Sequence, residues 1–99
     1  MSDENSIACS QSLQKYFDDE LKASSMSQLH DLITQRIVYL LLNDMEKLLN
    51  ILYRIDVNEK KVKNAFAQND PKKIAPLLAE LVIERELEKV ETRKRFSKK

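Results

Sequence analysis

The sequence predicts an all-α protein, a compact bundle of about five helices with short capped turns and a long C-terminal helix. Three observations lead there. The chain has Gly 0 among its 99 residues, where average usage of about 7% would supply roughly seven. Tight hairpin turns draw on glycine, so a meandering sheet has little to turn with. No segment alternates apolar and polar residues in the period of a strand, whereas apolar residues recur at i, i+3 and i+4 along most of the chain. Residues that cap helices stand just before these apolar stripes.

Residues 1–10, MSDENSIACS, are small, polar and acidic, and read as a flexible tail ahead of a single helical domain over 11–95 and a basic tail over 96–99. The first helix is expected from about Gln11 to Ala23 on Leu13, Tyr16, Phe17 and Leu21, with Asp18, Asp19 and Glu20 making its outer surface acidic. Ser25, with Gln28 three residues on, forms a capping box that opens the second helix, which carries Met26, Leu29, Ile33, Ile37, Leu40 and Leu41. Val38, Tyr39 and Leu42 make the end of that helix apolar on all sides, which places 37–42 in the middle of the domain.

The densest apolar stretch of the chain, 37–57, reads IVYLLLNDMEKLLNILYRIDV and divides into two helices at Asn43. Asn43 with Glu46 has the spacing of a cap for the third helix, whose stripe is Met45, Leu48, Leu49, Leu52 and Ile55, widened by Ile51 and Tyr53. Asp56 and Glu59 repeat the signature before a fourth helix on Val62, Ala65 and Phe66. Asn69 suits a left-handed helix end without glycine, and Asp70-Pro71 is a cap followed by proline at the first helical position. The fifth helix is expected to run to about Arg95, with Pro76 either kinking its first turn or marking its true start. The second, third and fifth helices are expected to form the core, with the first and fourth closing its sides.

Composition removes several functions. Without glycine there is no phosphate-cradling loop, dinucleotide fingerprint or calcium loop. His30 is the only histidine, which is too few for most metal sites, and it reads as a packing or capping residue. Cys9 stands among acidic neighbours that do not favour a thiolate, so it reads as an inert thiol. No cofactor and no catalysis are expected. A lone cysteine and apolar runs far shorter than the about 20 residues of a membrane span make the cytoplasm the expected location.

Function is therefore expected to lie in contact with another macromolecule. Ile83, Leu87 and Val90 keep a four-and-three spacing on a helix otherwise covered in charge, which suits a seam with a second copy or a partner subunit. The competing arrangement has Leu13, Phe17 and Leu21 of the first helix folding back over them. At the corner Tyr53-Arg54-Ile55-Asp56-Val57, Arg54 suits a helix C-terminus and Asp56 a cap, or the two together could anchor a partner. The alternative function is a helix-turn-helix nucleic-acid binder that uses the 57–68 helix, with Lys60, Lys61, Lys63 and Asn64 as contacts. That helix lacks arginine, the usual base reader, and the net charge of the chain is only +1. The charge is unevenly spread: residues 1–31 hold six acids and two bases, net −4, leaving net +5 for 32–99.

Overall fold

The computed structural model describes residues 4–18 and 20–97, with side chains through Arg95. Its elements are α1 (Glu4–Phe17), α2 (Met26–Asn43), α3 (Met45–Ile55), α4 (Glu59–Phe66) and α5 (Pro71–Ser97), and the described residues include no strand. The all-α bundle with its long last helix is thus the fold. At 1.5 Å per residue, the 27 residues of α5 run about 40 Å, most of the 45 Å long axis of the molecule. Among the described residues no helix is long and apolar enough to cross a membrane.

The largest departure from expectation is at the N-terminus. Residues 4–10 are helical rather than a tail, and α1 ends at Phe17 instead of continuing to Ala23. Ser6, Cys9, Ser10, Leu13 and Phe17 form its buried stripe. The serines disguise that stripe in the sequence because they count as polar. In the helix the Ser10 hydroxyl donates to the Ser6 carbonyl at 2.6 Å, so it needs no water and can enter the core. Asp18 stops the helix at φ 53°, and the Gln14 side chain accepts from the Leu21 N–H at 3.0 Å. Leu21 is buried from a non-helical link rather than from a helix. Lys94 and Arg93 reach back to Asn5 and Ser12, tying α1 to the far end of α5. Asp19, part of the expected acidic surface, lies outside the described residues, as do Lys98 and Lys99 of the expected basic tail.

The cap at Ser25 forms as expected, its hydroxyl oxygen accepting from the Gln28 N–H at 3.1 Å. Gln28 returns to Ser24, one residue early, accepting from both its N–H and its hydroxyl. At the next corner Asp44, not Asn43, does the capping. Its N–H closes α2 on the Leu40 carbonyl and its side chain accepts from the Lys47 N–H at 3.1 Å, so a single residue ends one helix and starts the next. Asn43 instead donates to the Tyr39 carbonyl at 2.9 Å. The same shift occurs at the following corner: Asp56 is the left-handed C-cap of α3, φ 68°, and Asn58 is the N-cap of α4. Asn69 takes the left-handed conformation at φ 58°, and Asp70 caps α5 through Lys72 N–H.

Pro76 neither breaks nor restarts α5, which is continuous around it. The ring removes the N–H that would serve the Lys72 carbonyl, but Lys72 is exposed near the helix start, where water can satisfy the group. The Pro76 carbonyl accepts a hydrogen bond from His30 Nε2 at 3.1 Å, joining α2 to α5. A carbonyl only accepts, so Nε2 carries a proton. The expected packing role of His30 is this link.

Two outcomes follow from the fold. Replacing Pro76 with alanine restores the helical bond while keeping the His30 link, and is expected to raise the stability by about 1 kcal/mol in urea unfolding; a loss would mean that packing of the ring outweighs the missing bond. Cys9, at 0% exposure, should resist a thiol reagent in the native protein and react fully once denatured, whereas rapid native labelling would show α1 to be detached.

Candidate functional site

The seam expected at Ile83, Leu87 and Val90 is occupied from within. Ile83 is 8% exposed and Val90 3%, Leu87 is partly buried, and all three pack into the one hydrophobic core with Leu13, Phe17 and Leu21. Helix α1 packs along α5, so these positions offer no face to a partner. Of the two arrangements the sequence allowed, the one in which Leu13, Phe17 and Leu21 fold back over the last helix is the one present.

A different apolar face is left open. Met45, Leu49 and Tyr53 are 41%, 49% and 83% exposed, and their spacing of four residues sets them along one side of α3. Tyr39 and Leu42, at the end of α2, are exposed as well, so the 37–42 segment is not enclosed as expected. The signal was legible as a surplus. Helix α3 has seven apolar residues among eleven, whereas a core-facing stripe takes about three or four in two turns. Leu48, Ile51, Leu52 and Ile55 fill the buried stripe, and the others are left outside it.

Leu49 and Tyr53 of this face line a groove of about 1140 Å³. Leu49, Leu52 and Tyr53 of α3 form one wall, Val62, Lys63 and Phe66 of α4 the opposite wall, and Leu81, Glu84, Arg85 and Glu88 of α5 lie between. The groove exists because α3 and α4 diverge. Each packs on α5, yet among the described residues α4 packs on no other helix. In a helix-turn-helix the first helix braces the second across a tight turn. Here the turn is short but the brace is missing.

The corner is held from α5. Arg85 Nε donates to the Asp56 carbonyl at 3.2 Å, Nη2 lies 3.5 Å from the Asp56 carboxylate and Nη1 3.2 Å from Glu88. The bond to the carbonyl and the pair with the carboxylate fix the left-handed Asp56, and with it the direction in which α4 departs. Asp56 thus serves the fold at the end of α3, where a cap of the fourth helix was expected. Arg54 points the other way, its guanidinium 5.3 Å from the centre of the Tyr16 ring, which Lys89 also approaches at 5.7 Å. These cations clamp α1 to α3 and α5.

Lys60, Lys61, Lys63 and Asn64 are all exposed on α4. The three lysines line the groove, together with Arg85, but Asp56, Glu59, Glu84 and Glu88 line it too, four bases against four acids. The surface is therefore divided in charge rather than basic. Other chemistry is thin among the described residues, where no group of three or more His, Cys, Asp or Glu could hold a metal. Glu86 is a buried carboxylate, but it lies outside the groove with Lys89 at 3.7 Å.

Replacing Arg85 with alanine is expected to cost about 1 kcal/mol, since the carboxylates it meets are exposed and its bond to a carbonyl is single. Lysine should recover less than half of that loss, because it cannot span the carbonyl and the carboxylates together; full recovery in urea unfolding would show charge alone to matter. A comparison of the chain with protein-family models, with curated proteins and with solved structures finds no match.

Proposed function

We propose that this is a non-enzymatic helical protein that works by protein–protein contact through the α3 side of the groove, with a second copy or as an accessory subunit. The observation that carries the reading is the exposed stripe Met45, Leu49 and Tyr53, continuous with the groove wall. Taking about 200 Å² for a large side chain, the stripe exposes roughly 350 Å², within the range for a largest apolar patch on a monomer. A standard interface takes about 800 Å² from each partner, of which the stripe would form the apolar centre and the charged groove residues the rim.

The groups best suited to catalysis support the same reading. His30 is committed to the Pro76 carbonyl, Cys9 is sealed in the core and Arg85 is engaged with Asp56 and Glu88. A nucleic-acid role for Lys60, Lys61, Lys63 and Asn64 has weaker support, since acids share their groove and α3 does not brace α4.

The reading is tested by placing a photo-crosslinking benzoylphenylalanine at Tyr53 and, as a control, at Glu91, which is exposed but outside the groove. Irradiation in cells is expected to give a discrete protein adduct from position 53 and none from position 91. No adduct from position 53 would remove the proposal.

A further inference from the structure

We infer that the groove receives one amphipathic helix of a partner protein, laid along α3 and carrying acidic residues on the edge that faces α4. This rests on the protein-contact reading above and names the chemistry of the partner.

The shape of the gap argues for a helix. Helices α3 and α4 both stand on α5 without packing on each other, so the gap between them lacks the one element that would complete the layer. A helix about 10 Å across fills about 80 Å² in section. The groove, about 1140 Å³ and open to solvent along one side, is wide enough to admit an element of that section. Of the exposed stripe, Leu49 and Tyr53 line the groove one helical turn apart, and Met45 continues the stripe along α3 beyond the lining residues. Apolar anchors at i, i+4 and i+7 of a docked helix would meet it along two turns, the usual mode of helix-in-groove recognition.

Charge sets the orientation. The base between the walls, Arg85, is already neutralised by Asp56 and Glu88. Lys60, Lys61 and Lys63, on the α4 side, meet no carboxylate among the described residues. They are the available cations of the site, and they lie across from the apolar wall. An occupant that satisfies both walls has an apolar edge toward α3 and an acidic edge toward α4. Two groove acids meet no base among the described residues, Glu59 at the start of α4, where the three lysines outnumber it, and Glu84 between the walls, so an occupant acidic all round would be repelled at Glu84.

The experiment uses the full chain and two fluorescent synthetic helices of about 16 residues. Both carry leucine at the three anchor positions, and one flank is glutamate in the first peptide and lysine in the second. Fluorescence anisotropy should show the glutamate peptide binding about tenfold more tightly, with the preference shrinking as salt rises. The triple variant Lys60→Glu, Lys61→Glu, Lys63→Glu should reverse the preference, and Leu49→Glu should abolish binding of both peptides while the circular dichroism of the fold is kept. Equal binding of the two peptides, or binding of neither, overturns the inference. So does light scattering that shows a dimer which Leu49→Glu dissociates, since the occupant would then be a second copy. Retention of a DNA duplex that the triple variant loses, with neither peptide bound, would overturn it in favour of nucleic acid. A crosslink from position 53 together with failure of the glutamate peptide would leave the protein-contact reading standing and remove this one.

Discussion

Every other helix of the protein packs on α5. That constraint governs the rest, because a chain of this length has one core and α5 runs through it. Its buried face alternates bulk and gap: Ile74, Leu78 and Val82 fill space, whereas Ala75 and Ala79, both fully buried, let a neighbouring helix come close. Helix α2 makes the most extensive contact with α5, and α1 covers it further along. The charged outer half of α5 then serves as the surface on which α4 and the α3–α4 corner are mounted. The groove follows from two helices sharing a support without sharing an interface.

The fold was legible where local chemistry and tertiary packing agree. Lack of glycine, the 3.6-residue stripes and the caps at Ser25 and Asp70 are local signals, and they held. Reading was poorest where two neighbouring residues could each do the same work. Asn43 and Asp44 both suit a cap, as do Asp56 and Asn58, and only the path of the chain decides between them. Helix α1 was shortened for a different reason, since serine bonded to its own helix behaves as a core residue and no count of hydrophobicity records that. Asp18, as a left-handed stop, was equally silent because the sequence offers no glycine to announce one.

The candidate site was visible only in part. Lys60, Lys61 and Lys63 were picked out for a face of α4 that is indeed exposed, but a list of lysines does not reveal that Glu59, Glu84 and Glu88 come to the same groove. The apolar wall was present as an excess of hydrophobic residues in α3 and was assigned to the core, because periodicity tells how many faces a helix has and not how many of them find cover. Ile83, Leu87 and Val90 show the same ambiguity from the other side, a face that periodicity left either open or covered and that α1 closes.

Helix α4 has a further meaning in this arrangement. It is eight residues long, buries only Ala65 fully and leans on a single neighbour. Isolated helices of that length are marginal in water, so α4 belongs among the least protected units of the molecule. The basic wall of the groove is therefore its softest part and the apolar wall, backed by the core, its firmest. The separation of the walls is set at one point, the Asp56–Asn58 turn and the grip of Arg85 upon it.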